Sequence, residues 1–241
     1  MIAGLELATR QTLLSEFSKR RSRTTVPPYQ DREARNQWAA ELLRGTAGQS
    51  ALNLGGGGAR HLGKHLGLHW QVHELDLGGD CDTTLDLDQV RRLPFADRSF
   101  DVCCALDVLE HLEQFHLIMD EMFRVARSAL LISLPNAAVD LPAICRNLCY
   151  HNDAFQNGVY SKFYGLPLTR PTDRHRWWLT FDDIIRFFLW TERVKSCAVQ
   201  FYIPDDAFSI KRRLLRLVAG ERLFLNLCCS SVWVRVVKEP G

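Results

Sequence analysis

Residues 51–65 read ALNLGGGGARHLGKH, an apolar run closed by four successive glycines and followed by basic side chains. The pattern predicts a strand entering a tight turn, since glycine takes left-handed backbone angles that other residues avoid. Such a turn brings backbone N–H groups close to a ligand. A phosphate loop needs G-x-x-x-x-G-K and then serine or threonine; Gly58 to Lys64 match, but His65 brings no hydroxyl for magnesium. A dinucleotide turn needs a small third residue in G-x-G-x-x-G, and that place falls on Arg60 or His61. Asp76 nevertheless supplies an acid at about the right distance for a ribose, which keeps a nicotinamide-dependent oxidoreductase as an alternative.

The flanking segments set the fold. Trp38, Leu42 and Leu43 among charges predict an amphipathic helix over 29–44, which GTAGQ ends. Strands are then expected at SALNL, QVHELDL, near TTLDL, at FDVCCAL and at ALLISLP, with a short helix after the glycines. Asp107 and Glu110 are spaced as a capping box for a helix through 108–127, with Leu112, Phe115, Ile118, Met122 and Val125 along one face. A second box, Thr180 and Asp183, opens a helix at LTFDDIIRFFLW, and SVWVRVVK reads as a last strand. Strands alternating with helices indicate an α/β fold with a mostly parallel sheet, whose ligands bind at the strands' carboxyl ends.

Four stretches in order, NLGGGGA, ELDL with Asp76, LPFADRSFD at 93–101 and VLEHL at 108–112, resemble the class I S-adenosylmethionine-dependent methyltransferases. The resemblance implies a Rossmann-like seven-stranded sheet with helices on both faces and an antiparallel last strand. It also implies S-adenosyl-L-methionine as cofactor and methyl transfer as the activity. Carried over position by position, it assigns cofactor contacts to Asn53, Gly55, Gly56, Gly57, Asp76, Leu77, Asp86, Leu87, Leu106 and Asp107, with Asp88 as the alternative to Asp86 at the adenine. Family members usually have an acid where Asn53 stands, facing the cofactor's ammonium end, so this chain offers a hydrogen bond there without a charge. The neutral residue keeps a non-catalytic cofactor-binding module as a second alternative.

Histidine is the side chain best suited to take a proton from an acceptor near neutral pH. His111 lies just past the fourth strand, on the binding edge, and is the first candidate catalytic residue; His175 is the second. His175 falls in an irregular stretch where Tyr160, Phe163, Tyr164, Trp177 and Trp178 alternate with Lys162, Arg170, Arg174 and Arg176, and Asp173 is a candidate carboxylate partner. Such a stretch suits a lid over the acceptor, and aromatic faces beside cations suit a sugar, a phosphorylated group or an exposed base. The expected acceptor is oxygen or nitrogen of a small molecule or glycan. YGLP followed by DRHRW also resembles bacterial methyltransferases associated with surface glycans.

Over 241 residues, with 46% hydrophobic and 24% charged side chains, one domain is expected. Its parts are a helical extension (1–45), a cofactor half (46–135), a lid insertion (136–179) and a C-terminal part (180–241). A net charge of +2 argues against bulk affinity for nucleic acid. The eight cysteines form no C-x-x-C pair and read as reduced, mostly buried thiols, and no metal site is expected. The N-terminal stretch is too polar for a signal sequence, which points to the cytoplasm. Lys211, Arg212, Arg213 and Arg216 among leucines suggest weak peripheral membrane contact, or else a helix packed on the sheet with a solvated basic face.

Overall fold

The computed structural model describes residues 10–24, 31–46, 48–141, 145, 174–204 and 210–239. The chain runs α1 (Arg10–Arg20), α2 (Arg32–Arg44), β1 (Ser50–Leu54), α3 (His61–Leu66), β2 (Gln71–Asp76), β3 (Thr83–Thr84) and β4 (Phe100–Leu106). A 3-10 turn (Leu109–His111) leads into α4 (Phe115–Val125), β5 (Ala126–Pro135) and a second 3-10 turn (Ala137–Asp140). After the undescribed stretch come α5 (Phe181–Lys195), β6 (Cys197–Tyr202), α6 (Ile210–Ala219), α7 (Glu221–Cys228) and β7 (Ser231–Lys238).

The seven strands form one sheet in the order β3-β2-β1-β4-β5-β7-β6. All pairings among the first five are parallel, whereas β7 runs antiparallel to both β5 and β6. This is the Rossmann-like sheet that the alternation of strands and helices predicts. Period-two alternation divides its core between two faces. Val102, Cys104 and Leu106 of β4 pack with Trp38, Leu42 and Leu43 of α2 and with Leu62 and Leu66 of α3. Cys103 and Ala105 point the other way, into a cluster with Phe17 of α1, Ile118 and Met122 of α4, and Ile184 and Phe188 of α5.

Thr180 forms the expected capping box, its side chain accepting from the Asp183 N–H while the Asp183 side chain accepts from the Thr180 N–H. The box expected at Asp107 and Glu110 does not form. β4 ends at Leu106, Asp107 turns left-handed (φ +51°), and α4 begins only at Phe115 without a side-chain cap. Asp107 is held instead by Arg35 and Ser133, and Glu110 is buried.

The basic segment also differs from the packed-helix expectation. Arg216 of α6 pairs with Glu221 and lies over the Phe224 ring of α7, while Leu214, Leu215, Leu217 and Val218 are exposed. The apolar side of α6 therefore faces solvent. No helix among the described residues is long and apolar enough to cross a membrane.

Candidate functional site

A cleft of about 380 Å³ opens at the carboxyl ends of β1, β2 and β4, within the usual range for a ligand pocket. Gly55, Gly57, Asp76, Leu77, Asp86, Leu87, Asp107 and His111 line it, with Arg32, Asp88, Val108 and Arg176 among the others. Most of the residues expected at a cofactor thus meet around one cavity. Asn53, Gly56 and Leu106 lie behind it: Asn53 and Leu106 are buried beneath the turn and in the α2-side core.

The turn is shaped by what surrounds it. Gly57 has φ +76°, and its N–H donates to Asp76 Oδ2 at 2.6 Å. Asp76 Oδ1 accepts from the Leu77 N–H at 2.7 Å, so the carboxylate is held at the cleft edge by backbone alone. A side chain on Gly57 would meet Arg32 Nη1 at 2.7 Å, which sets the Arg32 guanidinium beside the turn. Arg60, by contrast, is committed to Asp80 and Asp82, and Lys64 is not part of the cleft lining. Neither Arg60 nor Lys64 of the phosphate-loop-like stretch 58–64 is therefore placed to meet a phosphate in the cleft.

Asn53 donates through Nδ2 to Glu74 Oε2 at 2.7 Å, directly beneath Gly56. Glu74 is 3% exposed, and its Oε1 has no hydrogen-bond partner among the described residues. Burial pushes this carboxyl above the usual range, and the Asn53 hydrogen bond opposes that only in part. A raised native pKa means the cost of burying charge is absent below the unfolded value and appears as pH rises through the native one. Wild type is therefore expected to lose stability relative to Glu74→Gln between mildly acidic and alkaline pH. Urea melts of both across that range check it, and parallel curves would contradict it.

At the other side of the cleft, Asp107 receives Arg35 Nη1 at 2.7 Å and Ser133 Oγ at 2.6 Å, which fixes it at the end of β4. His111 and His175 meet edge to face with ring centroids 4.7 Å apart. Both approach the buried Glu110, at 3.8 and 4.0 Å from Oε1 to their Nε2 atoms. Main-chain and side-chain bonds bring them together. The Arg176 N–H donates to the Glu110 carbonyl at 2.7 Å, and Trp177 Nε1 donates to the Leu112 carbonyl at 2.6 Å. Tyr160, Lys162, Phe163, Tyr164, Arg170 and Asp173 lie outside the described residues. The described carboxylate near His175 is Glu110.

Sequence reasoning missed Arg32, Glu74 and Glu110 as parts of the site. Arg32 stands in the first turn of α2, before β1, and no local motif marks it. Glu74 is one position of β2 paired in register with Asn53, legible only once the strands are aligned.

A glycine turn after β1, an acid ending β2 and a cleft over the strand ends define a Rossmann-like domain built for a nucleoside-bearing cofactor. Residues 53–132 match the model of the methyltransferase domain family. Among solved structures, the 4+2 cyclase SpnF is 12% identical with a TM-score of 0.51, covering 96% of this chain and 93% of that one. The methyltransferase domain of bacterial CtHen1 is 16% identical (TM-score 0.49; 85% and 97% covered). An S-adenosylmethionine-dependent methyltransferase from Mesorhizobium loti is 14% identical (TM-score 0.44; 84% and 98% covered). At these identities the likeness is one of fold. No curated protein matches the chain. The matched segment carries a likeness to the methyltransferase domain family on a Rossmann-like sheet, and that likeness supports S-adenosylmethionine as the cofactor.

Proposed function

We propose that the protein transfers a methyl group to oxygen or nitrogen of a small molecule or glycan. The observation that carries the reading is Asp76, a carboxylate held at the end of β2 facing the glycine turn, where it can accept both hydroxyls of a ribose. S-adenosylmethionine, when bound, supplies an electrophilic methyl group on a sulfonium. Arg32 and the N–H groups of the turn suit its carboxylate, and Asp107 offers its ammonium the charge that Asn53 lacks. Leu77, Leu85 and Leu87 supply apolar surface for the adenine, with Asp86 at its edge. His111 lines the cleft, with His175 and Glu110 packed against it, and the acceptor's proton is handled there.

Asp76→Ala is expected to weaken S-adenosylmethionine binding by about 1 to 3 kcal/mol, about tenfold to a hundredfold. Calorimetry measures it, and Asp76→Asn separates two roles. Asparagine keeps an acceptor for the Gly57 N–H, so near wild-type affinity in that variant would show that Asp76 only holds the turn. A labelled-methyl assay on cell extract then tests turnover; binding without any transfer would favour a regulatory module.

The peripheral membrane contact is proposed for α6, on its exposed Leu217 and Val218 and the basic residues of its sequence. Cytoplasmic residence is proposed with it.

A further inference from the structure

We infer that Glu110, His111 and His175 form a binding site for a divalent first-row transition ion at the acceptor end of the cleft. One ligand atom from each lies within 4.8 Å of the others, and the two measured separations are 3.8 and 4.0 Å. Ligands bound at about 2.1 Å to one ion stand about 3.0 to 3.4 Å apart, so the three separations need to close by at most about 1.8 Å to bring the ligand atoms onto one centre. The cluster is preorganised for that closure. Glu110 and His111 are neighbours on a 3-10 turn, and the chain leading from His175 is fixed to that turn by the Arg176 N–H and the Trp177 indole.

The donor set selects the ion. Two imidazoles and one carboxylate suit zinc, manganese, iron, cobalt or nickel, whereas calcium and magnesium favour oxygen ligands throughout. Three protein ligands leave an ion room for further ligands, and His111 brings the cluster to the wall of the cleft that an acceptor would enter. An acceptor hydroxyl bound there would release its proton to water more readily, because the ion stabilises the resulting alkoxide. That use of the ion rests on the methyl-transfer reading; binding of the ion does not.

The test uses the full chain stripped with a chelator and titrated with cobalt(II), read by visible absorption and equilibrium dialysis. One ion per chain is expected. Glu110→Gln and His175→Gln should each weaken binding at least tenfold, while His65→Ala, outside the cluster, leaves it unchanged. No cobalt binding by wild type, or equal binding in the cluster variants, overturns the inference. Should a variant fail to fold, histidine-labelled wild type gives a second measurement: manganese(II) must broaden the His111 and His175 imidazole signals selectively, and uniform broadening or none is equally fatal. Calorimetry with S-adenosylmethionine on the stripped protein keeps the two readings apart. Cofactor binding without cobalt binding removes the ion alone, and cobalt binding without cofactor binding removes the methyl-transfer reading alone.

Discussion

Replacing His111 by alanine is expected to leave S-adenosylmethionine affinity within about threefold and to lower turnover about a hundredfold to ten-thousandfold, the span over which positioned proton-transfer groups contribute. The side chain lines the cleft, partly exposed, against His175 and Glu110. Its removal opens space already reached by solvent, so the melting temperature should barely move. Both roles considered for this imidazole, proton acceptor and ion ligand, predict the same loss. A scaffold role predicts something else: cofactor affinity and melting temperature falling together with turnover. Calorimetry, a thermal melt and the methyl-transfer assay on one preparation distinguish them.

Gly56→Ala has the largest expected effect on the fold. A Cβ there would overlap the Glu74 carboxylate and come within 2.9 Å of Asn53 Nδ2. Neither neighbour can retreat cheaply, since both are almost fully buried and hydrogen-bonded to each other. Overpacking combined with a broken buried hydrogen bond should cost about 2 to 4 kcal/mol. In a chain of this length that lowers the melting temperature by roughly 5 to 15 °C. Cofactor binding should fall too, because Gly55 and Gly57 on either side line the cleft. Adding Glu74→Ala to Gly56→Ala should restore much of the stability. A double variant no more stable than Gly56→Ala would show that the clash lies elsewhere.

Local signals in the sequence carried the scaffold well, because each rests on neighbours along the chain. FDVCCAL and SVWVRVVK coincide with β4 and β7 to the residue, and Thr180 caps its helix as its spacing implies. The glycine turn and Asp76 were legible for the same reason. The chemistry at the cleft depends on partners far apart in sequence, and there the signals mislead. Asp107 and Glu110 have capping-box spacing, yet Arg35 claims the first from 72 positions away and His175 approaches the second. Both contacts follow from packing of distant segments. The outward turn of the leucines on α6 has the same origin, since a hydrophobic pattern gives the stripe but not the side it faces.

The place of β7 in the sheet bears on how the molecule is made. The seventh strand in chain order lies between the fifth and the sixth, and among the described residues β6 pairs with no other strand. While the chain leaves the ribosome, β5 must wait with one edge open across about a hundred residues of synthesis, and β6 meanwhile is tied to the segment after α1 by the Arg21–Phe201 bridge rather than to a neighbouring strand. Closure of the sheet then depends on a long-range insertion, the slow kind of folding event. A chain stopped before Ser231 would present an unpaired hydrophobic edge, Leu130, Ile132 and Leu134 among its residues, and should be recovered as aggregate or bound to chaperones.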